Sequence, residues 1–173
     1  MSCNTIDTGR TLPCRDSVGG LKNVYFINYD AAASIPLVTG GGNEDTVAFD
    51  GVWDATNYEY ALKGTSSLTT NIQASRENGT VAFEQVLELT LPKLSKGDNY
   101  QVKLLAWGRP RIVVEDYNGN YFLVGRQHGA DVTGGTVVTG AAMGDLSGYT
   151  LSFTAMELTP ANLCTGSIAA PTP

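Results

Sequence analysis

Two stretches of strict alternation dominate the chain. In Leu68–Glu77, Leu68, Thr70, Ile72 and Ala74 fall on one side, and Thr69, Asn71, Gln73 and Ser75 on the other. In Thr80–Thr90, Val81, Phe83, Leu87 and Leu89 share one side, and Ala82, Glu84, Val86 and Glu88 share the other. A period of two marks a strand with one buried face, because successive side chains point to opposite faces of a sheet. Asn78-Gly79 lies between them, a hairpin signal because both residues tolerate positive φ. The pattern predicts a ribbon of about ten residues per arm, roughly 33 Å long at ~3.3 Å per residue. Its expected buried face carries Val81, Phe83, Leu87 and Leu89. Its expected solvent face carries Asn71, Gln73, Ser75, Glu84 and Glu88.

Other strands follow from β-branched and aromatic runs bounded by turn residues. They are expected at Lys22–Tyr29, Tyr58–Leu62, Arg111–Asp116, Tyr121–Gly125 and Tyr149–Leu158, with a short strand or turn around Thr46–Trp53. Asn118-Gly119-Asn120 reads as a second hairpin turn. Between Pro92 and Gly108 the period changes. Val102, Leu105 and Ala106 fall on one helical stripe, Asp98 and Gln101 suggest an N-cap, and Gly108 suggests a stop. One helix is predicted over Asn99–Trp107. The stretch Gly125–Gly148 holds seven of the twenty glycines and reads as a long flexible loop or flap. The expected organisation is an arm over residues 1–20, one β-rich domain over 21–160, and an extended tail over 161–173. The fold class is mainly β: an antiparallel β-sandwich or barrel with one flanking α-helix, a long hairpin and a long glycine-rich loop.

Composition narrows the function. A chain of 173 residues with 42% hydrophobic residues can build one domain with a real core. Its formal charge of −6 opposes tight binding of nucleic acid, which depends on cations placed against phosphates. Such a surface instead suits nucleic acid that must slide past. No apolar run approaches the roughly 18 residues of a membrane helix. The opening MSCNTIDTGRTLPCRDS has no apolar h-region, so no secretory signal is expected. Cys3, Cys14 and Cys164 match no zinc spacing, and an odd count argues against a disulfide framework.

Candidate chemistry is sparse. His128 is the only histidine, set among glycines with Asp131 three residues on. A loop histidine at a contact between subunits fits better than a catalytic base, and no Gly-x-Ser-x-Gly elbow supplies a nucleophile. Glu84 with Glu88, and Glu115 with Asp116, are the carboxylate pairs. A solvated strand and a turn account for them. The glycine-rich stretch lacks the Gly-Lys-Ser/Thr ending of a P-loop and leads into a strand, where a phosphate loop opens a helix. Its β-branched residues Val132, Val137 and Val138, with His128 and Asp131, suit a segment that pairs with a neighbouring chain.

The order of segments resembles the tail tube proteins of bacteriophages. It runs from CRDSVGGLKNVYF (Cys14–Phe26) to the long polar hairpin and the helix. RIVVEDYNGNYFLVG, GADVTGGTVVTGAAMGDLSGYTLSFT and a short tail follow. The resemblance covers roughly residues 14–160. It implies a β-sandwich or barrel with a flanking helix and a long loop, a fold shared with the tubes of type VI secretion and contractile injection systems. It implies stacked hexameric rings whose inner sheets join into one barrel. Asn71, Gln73, Ser75, Glu84 and Glu88 would line the channel. The implied partners are copies of the chain, other tail proteins and DNA in transit, with no membrane, cofactor or catalytic residue. The implied location is the virion tail, after synthesis in the host cytoplasm.

Two other classes fit the composition. One is another virion structural protein, such as a tail terminator, neck or capsid-decoration protein, which would form no tubes. The other is a carbohydrate-binding β-sandwich, which would gather Trp53, Tyr58, Tyr60, Tyr117 and Tyr121 on one exposed face.

Overall fold

The computed structural model describes residues 17–38, 45–62 and 65–172. Residues 1–16, with Cys3 and Cys14, and the triplet Gly40–Gly42 lie outside the described residues. In chain order the elements are β1 (Leu21–Ile27), β2 (Leu37–Val38), β3 (Thr46–Ala48), β4 (Asn57–Ala61), β5 (Ser67–Ser75) and β6 (Thr80–Pro92). Then come α1 (Lys96–Trp107), β7 (Arg111–Asp116), β8 (Tyr121–Val124), β9 (Asp131–Val138), β10 (Gly148–Glu157) and β11 (Asn162–Thr165). They form the expected mainly β architecture of two sheets and one helix.

One sheet has four strands in the order β5-β6-β10-β9, all antiparallel neighbours. The other has seven, in the order β2-β3-β11-β8-β7-β1-β4. The principal core lies between them. Leu87, Leu89, Tyr149, Leu151 and Phe153 from the small sheet meet Val24, Phe26, Ile112, Val114 and Val124 from the large one. These are the inward positions of a period-two pattern on both sides, so each strand gives one face to the core. Phe26 and Phe153 touch at 5.7 Å between ring centroids. Gly148 lets β10 start close to β6, since a Cβ there would lie 2.2 Å from the Leu91 carbonyl oxygen.

A second cluster covers the opposite face of the large sheet. Tyr25, Ile27, Val113 and Leu123 meet Ile35, Val47 and Trp53 from the connecting segments. Trp53 stacks on Phe49 and donates its indole N–H to the Ala48 carbonyl at 3.0 Å. The C-terminal residues belong to this layer. β11 inserts between β3 and β8, and buried Asp54 and Asn57 hold the Ala169 backbone. The extended tail expected from residue 161 is therefore a strand followed by an anchored segment.

The helix starts three residues earlier than its pattern predicts. Ser95 is the N-cap, accepting from the Asp98 N–H at 3.0 Å and donating to the Asp98 carboxylate at 2.6 Å. Asp98 thus plays the third-residue role of a capping box, and the chain begins its turn at Lys96. Val102 and Leu105 are half-buried against the core, but Ala106 is exposed. The helix lies at the side of the sandwich, so a narrower stripe touches it than the pattern implied. Its outer stripe of Tyr100, Leu104 and Trp107 faces solvent.

Burial sets the energetics. Leu87→Ala, at a fully buried site, is expected to cost ~2–5 kcal/mol, while Leu105→Ala on the half-buried stripe should cost about 1–2 kcal/mol. Urea unfolding of the two variants as dilute monomers checks the order. A larger loss for Leu105→Ala would mean the helix, and not the two sheets, carries the core.

Candidate functional site

The side of the four-stranded sheet turned away from the core is mostly polar. β5 places Thr69, Asn71 and Gln73 there, β6 places Glu84, Val86 and Glu88, and β10 places Thr150, Ser152, Thr154 and the exposed Met156. β9 adds Asp131, Thr133 and Thr136. Side chains on this face bond to one another across strands. Asn71 and Gln73 donate to Glu84 at 3.2 and 3.4 Å, and Thr136 meets Thr150 at 2.5 Å. Glu84 and Glu88 give the face negative charge, and Asp131 at its margin is paired with Arg109. Its strand positions include no lysine or arginine. Ser75 sits lower on the hairpin, where its hydroxyl accepts from the Asn78 N–H, so it serves the turn.

The hairpin differs from its expected form at the tip. Ser75 pairs with Thr80, so the connection is the four-residue loop Arg76–Gly79. The distal half also extends beyond the core. Phe83 and Ile72 are directly opposite, as are Val81 and Ala74, on the same side as Leu87. Leu87 and Leu89 are buried as expected, but Phe83 is only half-buried, Val81 is 54% exposed and Ile72 is 70% exposed. The large sheet does not reach this far, so the alternation continues without a partner layer.

The glycine-rich stretch resolves into three parts. Gly125–Ala130 is a tight turn, Asp131–Val138 is strand β9, and residues 139–147 connect to β10. The flap expected here is largely a paired strand, anchored on β10 with a bulge at Thr133. The Gly134-Gly135 pair hid its alternation. Val132 packs on the core, Val138 is half-buried and Val137 is 56% exposed. His128 does not face Asp131. Its Nδ1 lies 3.4 Å from Oε2 of buried Glu157, whose Oε1 accepts from the N–H groups of Gln127 and His128 at 2.9 Å each. Asp131 instead meets Arg109 at 3.7 Å. Thus Glu157, which the alternation pattern left unremarked, is what holds the turn that presents His128.

β5 and β9 are the two edges of this sheet. Each is long, with nine and eight residues. Neither contains proline or lysine, the usual guards of an exposed edge. β9 is partly blunted by its Thr133 bulge, by Asp131 at its start and by α1 beside it, and β5 has no charge or bulge. Successive strands alternate in direction, so β5 and β9 run opposite ways.

The carboxylate pair Glu115 and Asp116 is committed locally. Glu115 is buried and accepts from Lys22 Nζ and Asn23 at 2.8 Å each. Asp116 accepts from the backbone N–H groups of Asn118 and Asn120. Burial works to raise its carboxyl, but hydrogen bonds from Asn120 and Asn118 prevail and hold it below its ordinary value. Burial pushes the Cys164 thiol up to about 12, which removes its thiolate at neutral pH. Among the described residues no group of His, Cys, Asp and Glu could hold a metal ion. No helix among them is long and apolar enough to cross a membrane. The five aromatics named above do not gather. Trp53 lies buried under the connecting segments and Tyr121 packs edge-on against Phe49, while Tyr58 and Tyr60 line the far edge of the large sheet beside α1.

The connection over residues 139–147 has a built shape. Asp145 accepts from the Ala141 and Ala142 N–H groups at 2.9 and 2.7 Å. Gly140 has φ +75°, and a Cβ there would lie 2.9 Å from Asp145 Cβ. The backbone hydrogen bonds hold the Asp145 carboxyl below its ordinary value of 3.8. A depressed folded-state value means that the loop's support is full above 3.8 and is lost as pH falls through the folded value. NMR titration should show the Ala141 and Ala142 amide shifts moving together with a midpoint below 3.8. Amides that do not titrate there would mean that Asp145 does not hold the loop.

Comparisons of the chain with family models, with curated proteins and with solved structures found no match.

Proposed function

We propose that this chain is a structural subunit that assembles with copies of itself into closed rings, and that stacked rings form a channel of the tail tube kind. The observation that carries the reading is the pair of long outer strands on one sheet, β5 without any charge or bulge and β9 without proline or lysine. A protein that works as a monomer blunts such edges, because they recruit other chains. Here β5 of one copy and β9 of the next run in opposite directions, which is the arrangement needed for antiparallel pairing. Edge-to-edge pairing through two different surfaces is heterologous, and it closes into a ring when the rotation per copy divides the circle.

The polar face then has a use. In a closed ring it lines the lumen, with Asn71, Gln73, Glu84 and Glu88 from the hairpin. Carboxylates without compensating cations repel phosphates, so DNA passes without adhering. The exposed tip residues Ile72 and Val81 lie on the side facing away from this lining, where a neighbouring copy covers them. DNA in transit and other tail proteins are the remaining partners of this reading, and the assembled virion tail is the location.

Electron microscopy and sedimentation of the purified chain test the assembly. Rings or tubes are expected at high concentration. Lysine at both Asn71 and Gln73 adds edge charge, and should abolish assembly while leaving the monomer's melting temperature within a few degrees, since both positions are exposed. A second variant probes the lining. Glu84→Lys with Glu88→Lys should still assemble, and its tubes should retain DNA at low salt and release it as salt rises. A wild-type chain that stays monomeric at all concentrations would overturn the proposal.

A further inference from the structure

The edge of the large sheet and the C-terminal half of α1 enclose a cavity of about 580 Å³. Tyr29, Tyr58, Tyr60, Leu104, Trp107 and Arg109 dominate its lining. The outer stripe of the helix forms one wall, and Trp107 there is 78% exposed. None of the residues lining the cavity is acidic. Lys103 stands at the rim with its amino group 4.8 Å from the Trp107 ring. No element among the described residues covers this aromatic surface.

An apolar projection lies elsewhere on the same molecule. The 139–147 loop is braced by Asp145 and presents Met143 fully exposed, with Leu146 also exposed beside it. The loop carries one charge, that of Asp145, and no base. Its backbone hydrogen bonds keep that carboxylate ionised at neutral pH. The loop's Asp145 and the Lys103 amino group at the cavity rim thus differ in sign, and loop and cavity match in apolar character.

The two lie at opposite ends of the sandwich. At the cavity end, Arg109 meets Asp131 at the start of β9, and Ala130 donates to the Pro110 carbonyl. At the loop end, Lys93 donates to the Ser147 carbonyl, and Tyr149 reaches the Ser95 carbonyl beside the helix start. β9 spans the gap with eight residues, about 26 Å at ~3.3 Å per residue. The loop therefore cannot fill the cavity of its own chain.

We infer that the Met143 loop of one copy inserts into the aromatic cavity of a copy lying end to end with it, with Asp145 set against Lys103. Methionine is suited to such a cavity, because its flexible thioether adapts to aromatic walls. A projection at one end and a matching cavity at the other is a heterologous contact, and it continues from copy to copy along an axis. The inference rests on the self-assembly reading and adds to it the contact between successive rings. A small organic ligand is the alternative occupant, since a cavity of this size would hold one. Arg109, however, the charged group in the lining, already donates to the His128 carbonyl and meets Asp131.

The test uses the full chain with a benzophenone amino acid in place of Met143. Irradiation of the assembled protein should give crosslinks between copies, and mass spectrometry should map them to Tyr58–Tyr60 or Gln101–Arg109. In parallel, Met143→Asp should weaken end-to-end association by about tenfold or more, and Met143→Leu should retain it. Trp107→Ala should match the loss, and combining it with Met143→Asp should add little. Met143→Asp should melt as wild type does, because the side chain is fully exposed in the monomer. Rings that form normally while the crosslinks map elsewhere, or within one chain, overturn the loop contact and leave the ring reading standing. The loop contact also fails, and the rings stand, if Met143→Asp forms tubes as long as those of the wild type. An oligosaccharide probe that occupies the cavity and leaves tube length unchanged has the same consequence. A wild type that never associates overturns both.

Discussion

The long antiparallel pairing of β6 with β10 is the constraint on which the rest of the molecule depends. It runs without interruption from Gly148 opposite Pro92 to Glu157 opposite Phe83. Because the side-chain period of a strand is two, that register decides every position at once. Leu87, Leu89, Leu151 and Phe153 must face the large sheet, and Glu84, Glu88, Thr150 and Thr154 must face away. A slip by one residue would bury the glutamates and expose the core. Burial thus fixes the register, and the register creates a continuous polar surface as a by-product.

The same pairing explains what the small sheet leaves open. β6 and β10 are its central strands, paired on both sides over much of their length. β5 and β9 each have one side unsatisfied. β5 lacks the features that normally discourage recruitment, whereas β9 carries Asp131 and the Thr133 bulge. The hairpin tip adds apolar side chains beyond the reach of the core. Edge and tip together put most of the unsatisfied surface on one layer of the sandwich. The remaining apolar surface, around Trp107, lies on the helix at its side.

Much of this was legible in the sequence because the small sheet is amphipathic. Alternation over Leu68–Ser75 and Thr80–Thr90 identified the hairpin and its faces, and the helix followed from its change of period. The parts that were not legible have identifiable physical causes. Alternation reports which face a residue is on and cannot report where the opposing layer ends, so Val81 was expected in the core. In β9 the Gly134-Gly135 pair removed two side chains from the pattern, and a strand looked like a flap. β11 is short and lacks a run of β-branched residues. Its place depends on β3 and β8, which lie far away in the chain. The aromatic cavity joins residues from β4, α1 and the segment after β1, a juxtaposition that only topology creates.

The placement of β11 bears on when the protein becomes a protein. β3 joins the large sheet only through β11, which pairs with it in parallel, Cys164 opposite Val47. Loop closure over so long a separation is slow, and synthesis delivers β11 after both strands it pairs with. Until the ribosome has released residues 162–165, β3 and β2 have no place in the sheet, and the layer around Val47 has no floor. β11 is thus the tie between two distant parts of the chain: without it, β2 and β3 would pair only with each other and would leave the seven-stranded sheet.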